Sequence, residues 1–527
     1  MGRAAGSAGD PAALRGEVRL AELVAALSLG VDLGFDQPME HVLRQCVISL
    51  RLADRLALDD RERSVVYYSA LLVNVGCHSD AHEQAKWFGD DIALKATKYT
   101  HQMRGLAGAA ATVRLVGAGN PPLHRLRVGL EFAVRGHREL DQMVEKHSEI
   151  ARSFAVQLGL DGDVQVAVGS AYERWDGKGW PGMLAGAEIP VASRITQLCE
   201  YVEVAHRVGG VAAAVALATD RAGTQFDPGL ADTLATCADE LLADLDTART
   251  WRTVIDAEPA LQHRLTGEGI DRALLAVADF VDLKSPYTAG HARAVAELAE
   301  GAATRLALPA DEVSAVRRAA LVHGMGRLGV SNAIWDKPGP LGAGEWERVR
   351  LHPYLTERML SQSPTLAPLG RIAVQYRERL DGSGYPRGLS GAEISTPARV
   401  LAAADVYQSI REPRPHRPAG SAQTAASELR GDVRAGRLDA DAVESVLAAA
   451  GHRTPRRREG PAGLTAREVE VLRLLARGLS SRQIAAELVI TTKTARNHTE
   501  HIFAKIGTSS RAAACLFAMR HGLLPAD

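Results

Sequence analysis

Lysine is scarce in this chain of 527 residues: only 9 of its 62 basic residues are lysines. Beside abundant alanine, that imbalance reads as GC-rich coding and carries no structural message. Cysteine is scarce too. The five thiols, Cys46, Cys77, Cys199, Cys237 and Cys515, are scattered and form no CxxC pair, which excludes a disulfide framework or a cysteine-ligated zinc site and predicts reduced thiols. Long apolar runs are missing. The most apolar windows, such as Gly209 to Ala218, fall far short of the roughly 20 residues of a membrane span. Met1 to Gly16 is small and polar, without the hydrophobic stretch of a secretory leader. These absences predict a cytoplasmic protein with no membrane contact. Runs of alternating Val and Thr are rare, so strands should be few and the fold class all-α.

Apolar residues at 46% and charged ones at 24% are ordinary for a globular chain and exclude a wholly disordered or collagen-like one. The length predicts about three domains. A net charge of −1 hides an asymmetry. Residues 451–527 hold 13 basic and 6 acidic side chains, while the rest of the chain holds 49 and 57. A basic tail on an acidic body predicts a nucleic-acid module joined to something else.

The body repeats itself. ERWDGKGWPGMLAGAEIPVASRI, from Glu173, and ERLDGSGYPRGLSGAEISTPARV, from Glu378, agree at 12 of 23 positions. A fainter echo follows in the same order, from Ala222 to Pro228 and from Ala435 to Asp441. Such recurrence marks two related helical domains, placed at 19–252 and 265–452, after a loose leader at 1–18. A charged linker at 453–462, Pro/Gly-bounded and Arg-rich, separates them from a C-terminal domain at 463–527.

In that last domain Thr465 is an N-cap with Glu468 completing a capping box, and Val469, Leu472, Leu475 and Ala476 give the first helix one apolar face before Gly478. Ser480 caps a second helix, with a third from about Thr492 to Ile506 and a fourth from Ser510 to His521. Two short helices joined by a tight turn, then a longer one bearing Lys493, Arg496, Asn497 and Lys505, is helix-turn-helix spacing. The segment from LTAREVEVL through KTARNHTEHIFAKI resembles the LuxR-type helix-turn-helix of bacterial transcription regulators. The likeness implies double-stranded DNA as partner, a homodimer on paired half-sites, and the helix from Thr492 lying in the major groove. By the same likeness Lys493, Thr494 and Arg496 contact phosphates or bases, Asn497 faces base edges, and Lys505 holds a phosphate; His498 supports the fold.

The second body domain carries His291, His323, His352 and Asp405 at hydrolase-like spacing, with LDGSGYPRGLSG, Leu380 to Gly391, among them. This resembles the HD-GYP family, a branch of the HD-domain metal phosphohydrolases that typically cleave cyclic di-GMP. In such sites imidazoles and carboxylates hold two or three divalent ions, a bridging carboxylate keeping the metals about 3.5–4 Å apart. This chain departs from the pattern. Gly324 stands for the bridging Asp, Arg327 for the motif lysine, and Tyr376 and Arg377 for two adjacent histidines. The four survivors could hold a single ion of iron, manganese or zinc but not a catalytic pair, and an arginine at the site repels divalent metal. Arg327 and Arg377, with the turn Gly384, Tyr385 and Pro386, suit a cyclic dinucleotide or another small phosphorylated ligand. The first body domain is more eroded. Val73 and Asn74 replace His-Asp, and Ala171 and Tyr172 replace the two histidines. Its His41, His78 and His147 are read as surface or satisfied core histidines. Three readings follow: a DNA-binding regulator whose degenerate body senses a signal and dimerises, a phosphodiesterase with a DNA-binding output, and an interaction scaffold.

Overall fold

The computed structural model describes residues 17–100, 113–118, 121–132, 134, 137–245, 250–259, 263–452, 461–488 and 490–523. Most of the expected leader and of the charged linker lies outside them. The architecture is all-α, as the sequence implies. Among the described residues the strands are Val18–Arg19 and Arg264–Leu265, paired antiparallel with Val18 opposite Leu265. The chain divides into two compact units, residues 1–450 and 451–527.

The body unit shows the repeat as duplicated architecture. The helices His41–Arg55 and Asp60–Leu72, then the short 3-10 turn Val75–His78, recur as His291–Arg305, Ala310–Val322 and Met325–Gly329. The carboxylate of Asp32 accepts the Val42 backbone N–H at 3.1 Å, and that of Asp282 accepts the Ala292 N–H at 2.8 Å. In each half a glycine lets two segments touch. A Cβ on Gly76 would lie 2.2 Å from the His147 carbonyl oxygen, and one on Gly326 would lie 1.9 Å from that of His352, so neither position admits a side chain. The repeated Glu–Arg–x–Asp–Gly segment is organised alike in both, around the carboxylate of its first residue. Glu173 accepts the N–H groups of Gly182, Met183 and Leu184, and Glu378 those of Arg387 and Leu389.

Both halves share one hydrophobic cluster. The helix Leu20–Leu33 is buried nearly all round, which an apolar helix requires. It packs across the duplication, with Gly30 against Leu328 and Met359 and with Glu22 accepting the Ser363 hydroxyl at 2.8 Å. The halves differ most between those glycines and the histidines they touch. The second half needs only Gly326 to His352, whereas the first runs from Gly76 to His147 and adds the helices Ala81–Phe88, Asp91–Ala96 and Pro122–Glu131.

The segment Val191–Asp220 spans 30 residues and is long and apolar enough to cross a membrane, longer than the windows expected from sequence. Its backbone leaves the helical region at Gly209 and Gly210, so it is two helices meeting at a bend. Its first part carries Arg194, Glu200, Glu203 and Arg207, all in ion pairs within the body.

The C-terminal unit follows its sequence signals closely. Its helices are Ala466–Ala476, Ser481–Glu487, Thr492–Ile506 and Arg511–Arg520. Thr465 and Glu468 form the reciprocal capping box, at 3.2 and 2.7 Å. Leu472, Leu475, Ile484, Ala495, Ile502 and Ala518 are among the residues closing its core.

Candidate functional site

In the second half, His291 opens one helix, His323 ends another, and Asp405 lies within Thr396–Arg411. Side-chain ligand atoms of these three buried residues all fall within 4.8 Å of one another. The Asp405 Oδ1 is 3.3 Å from His291 Nε2 and 3.6 Å from His323 Nε2. Across the His291 ring, Nδ1 is 2.9 Å from Glu412. The fourth survivor is turned to another use: His352 Nε2 meets the Tyr376 hydroxyl at 2.5 Å. Tyr376 therefore occupies, on His352, the place a metal would take.

Arg377 sets the electrostatics. One of its terminal nitrogens lies 3.2 Å from Asp405 Oδ2. Burial alone would raise the Asp405 carboxyl, but Arg377 and the two imidazoles hold it well below the ordinary range. His352 is held neutral, pushed well below its ordinary value by burial and by the charges of Arg377 and Arg327. No carboxylate stands at Gly324. A cluster of three donors suits one ion, and it already holds a guanidinium on its only carboxylate. It does not fit a bridged metal pair.

Beside the cluster opens a cavity of about 630 Å³ lined by Arg327, Arg377, Arg414, Arg417, Lys284 and Lys337, with Trp335, Trp346, Tyr287 and Tyr385 among its walls. The Arg327 guanidinium sits 5.1 Å from the Trp335 ring centre. Arg327 Nε and Trp335 Nε1 are buried without a hydrogen-bond partner among the described residues. Arg414 is pushed down to about 10, first by burial and then by the neighbouring Arg327 charge, although Glu412 pairs with it at 2.8 Å. The Gly384, Tyr385 and Pro386 turn lies alongside, with the Tyr385 ring 6.3 Å from that of His352.

The insertion of the first half reaches this wall. Asp91 accepts the Ser331 hydroxyl and the Asn332 N–H, both at 2.8 Å, and lies 3.4 Å from Lys284 Nζ. His82 Nδ1 is 2.8 Å from Asp336. Neither residue was singled out from sequence, because the insertion has no counterpart in the repeat.

The first half's equivalent position is closed. Glu200, matching Asp405, is bound by Lys98 and by the Asn74 side chain, and Lys98 Nζ lies 2.7 Å from Asn74 Oδ1 and 4.6 Å from the Phe35 ring centre. His41 meets Glu203 and His147 meets Asp80; both are satisfied, as expected. His78 differs. It is buried against Phe35 and Phe280 with neither ring nitrogen paired among the described residues.

In the C-terminal unit Lys493, Arg496 and Asn497 are exposed on one helix, while the hydroxyl of half-buried Thr494 lies 2.8 Å from that of Thr491 at the helix start. Lys505 stands apart from these. Its ammonium is 2.8 Å from Glu468 and 3.1 Å from the Gly463 carbonyl, tying the third helix to the first.

The HD domain family matches residues 137–230 and 276–442, and the luxR family of bacterial regulatory proteins matches residues 462–518. A 3′3′-cGAMP-specific phosphodiesterase of Vibrio cholerae is 31% identical over 404 residues, covering 76% of this chain and 88% of that protein. A cyclic di-GMP phosphodiesterase response regulator of Xanthomonas campestris is 31% identical over 174 residues, covering 32% of this chain and 46% of that protein. A solved cyclic GMP-AMP-specific phosphodiesterase from Vibrio cholerae superposes with a TM-score of 0.58 at 26% identity, covering 83% of this chain and 98% of that one.

Proposed function

This chain belongs to the HD-domain family, in the branch whose curated members include cyclic-dinucleotide phosphodiesterases, and it ends in a LuxR-family module; from that premise we propose that it is a sequence-specific DNA-binding transcriptional regulator whose body binds a cyclic dinucleotide without hydrolysing it. The observation that carries this reading is Arg377 on Asp405, opening onto a cavity lined by cations and aromatic rings. A guanidinium offers phosphate two parallel donors and permanent charge. Tryptophan and tyrosine faces suit purine rings. What remains of the metal cluster fits one ion at most, so charge supplied elsewhere by metal is supplied here by arginine, which binds phosphate but generates no hydroxide. Lys493, Arg496 and Asn497 contact DNA, with Thr494 at the helix start and Lys505 chiefly bracing the module; the protein acts as a homodimer in the cytoplasm. Ligand binding then shifts the balance between body conformations that present the DNA module differently.

The test is made on full-length protein purified without chelator. Metal content, hydrolysis of cyclic di-GMP and 3′3′-cGAMP (the latter the substrate in the relative's name), and thermal shift with each nucleotide are read on one sample. The reading expects binding, no turnover and less than one equivalent of metal. Two equivalents of metal with turnover would overturn it in favour of the phosphodiesterase. A reversion sharpens the outcome. A Cβ at Gly324 would meet nothing closer than 3.5 Å, so Gly324→Asp with Tyr376→His and Arg377→His is sterically open and should recover metal binding.

A further inference from the structure

A second chemical centre lies in the first half. Cys77, in the turn Val75–His78, has its Sγ 3.5 Å from His147 Nδ1 and 2.8 Å from the Tyr172 hydroxyl. The other side of the His147 ring, Nε2, lies 2.7 Å from the carboxylate of Asp80. Three segments of the chain thus converge on a thiol, an imidazole and a carboxylate in line, with a phenol as a second donor. This order activates a nucleophile: the carboxylate orients and supports the imidazolium, which stabilises the thiolate. The single proton of the Tyr172 hydroxyl goes either to the Val73 carbonyl, at 3.2 Å, or to the sulfur, and a Cys77 thiolate draws it to the sulfur.

We propose that Cys77, His147 and Asp80 form a peroxide-reactive thiolate centre, a site of reversible oxidation separate from the nucleotide cavity. In the reaction the Cys77 thiolate attacks one oxygen of hydrogen peroxide. A sulfur–oxygen bond forms and the oxygen–oxygen bond breaks. The departing hydroxide takes the proton of the His147 imidazolium and leaves as water. Sulfur loses two electrons, peroxide gains two, and Cys77 becomes a sulfenic acid; one added thiol condenses with it to a mixed disulfide, releasing water, and a second thiol displaces Cys77 as the free thiol.

The surroundings favour the ionised pair. Charged and titratable groups facing the sulfur are His147 and Asp80 on one side, Tyr172 on another, and Lys98 behind. Burial alone would raise the thiol, but the His147 charge and hydrogen bond, then Lys98 and Tyr172, bring it below its ordinary value. Burial likewise opposes a charged His147, and the Cys77 and Asp80 partners overcome it, raising the ring to about 9. Cys199 is the contrast within the molecule: burial lifts it to about 12. Cys77 is buried, with 8% of the residue's surface left, so the oxidant proposed is one as small as hydrogen peroxide.

The experiment uses the full chain. Native protein is exposed to stoichiometric hydrogen peroxide with dimedone present, and each cysteine is quantified by peptide mass spectrometry; in parallel, site-resolved iodoacetamide labelling is followed from pH 5.5 to 9. Cys77 should take up dimedone at least tenfold faster than Cys46 or Cys199, and its alkylation rate should stay nearly flat down to about pH 6.5, where an ordinary thiol with a pKa of about 8.5 loses roughly tenfold per unit. Asp80→Asn should slow Cys77 several-fold and restore the ordinary pH profile. His147→Gln should do so more strongly, and if that variant does not fold, Asp80→Asn decides alone. Cys77 unlabelled in native protein, or labelled with the ordinary pH profile, overturns the proposal and leaves the cluster a structural hydrogen-bond network.

Discussion

The two halves of the body pair the buried carboxylates at equivalent positions in opposite ways. In the first, an ammonium from the chain itself, Lys98, sits on Glu200 among Phe35, Tyr99 and Tyr201. In the second, a guanidinium, Arg377, sits on the equivalent Asp405 but faces a cavity of about 630 Å³. Both cations neutralise a buried carboxylate. They differ in what remains. Lysine's compact charge is consumed by its partners, which also include Asn74, and the site is closed. Arginine's planar fork reaches Asp405 with one nitrogen and leaves donors over, so the site can still receive an anion.

The largest effect should come from breaking the closed site. Lys98→Ala leaves Glu200 buried against Asn74 and Tyr99 without its cation. Removing one partner of a buried pair costs about 3–5 kcal/mol, so denaturant unfolding should show a loss of that order, and Lys98→Met should not repair it. Arg377→Ala should cost stability much less, because water can enter beside Asp405 and His291 remains next to it. Its cost should appear in ligand titration instead, as a loss of cyclic-dinucleotide affinity of up to roughly a hundredfold, the scale of one or two charge-assisted hydrogen bonds. Equal destabilisation by both substitutions, measured as unfolding midpoints, would erase the distinction between a plug and a receptor.

How much of this contrast was written in the sequence follows from distance along the chain. The Glu–Arg–x–Asp–Gly repeat, the missing carboxylate at Gly324 and the capping boxes are local or self-similar patterns, and they announced a duplicated all-α body and a helix-turn-helix tail. The third helix of that tail runs Thr492–Ile506, the bounds its Thr491 cap and Gly507 imply. Lys98, Asp91, His82 and the Cys77–His147 contact were not legible. Each lies in, or is separated from its partner by, the insertion between Gly76 and His147, and an ion pair spanning 102 residues, as Lys98–Glu200 does, leaves no periodicity to read. Lys505, which the family likeness marks for phosphate, also lies 2.8 Å from Glu468, a partner 37 residues away that the pattern does not reveal.

The paired aspartates allow a finer comparison at positions that remained equivalent. Asp32 and Asp282 each cap the next helix through one oxygen, yet burial raises Asp32 to about 7 and Asp282 to about 6. Asp32 Oδ2 is buried with no partner among the described residues. Folded-state values above the unfolded value near 3.9 mean that the folded protein holds protons the unfolded chain has released. The associated stability is present below about pH 3.9 and is lost as pH rises to about 6 for Asp282 and about 7 for Asp32. Asp32→Asn keeps the cap acceptor and removes the charge, so at pH 8 it should stabilise by on the order of 2 kcal/mol, and Asp282→Asn by less. Both gains should shrink as pH is lowered to 5. Urea midpoints at the two pH values measure this, and a larger gain at Asp282 would reverse the ranking of the two halves.

The smallest effect lies in the C-terminal module. Lys493, Arg496 and Asn497 are exposed, whereas Lys505 is half-committed to Glu468. If the helix from Thr492 meets DNA as its family's do, the arginine and lysine act as electrostatic anchors whose neutralisation releases counterions. Lys493→Ala or Arg496→Ala should reduce the slope of log affinity against log salt by about 1, read by fluorescence anisotropy on a selected operator at several salt concentrations. Lys505→Ala should leave that slope nearly unchanged and lower the module's melting temperature instead, because it removes a cation from the capping-box glutamate. The pair of results separates a side chain that reads charge on a partner from one that completes the fold. It is the distinction drawn between Arg377 and Lys98, repeated in the LuxR-family module where the energies are about 1 kcal/mol or less.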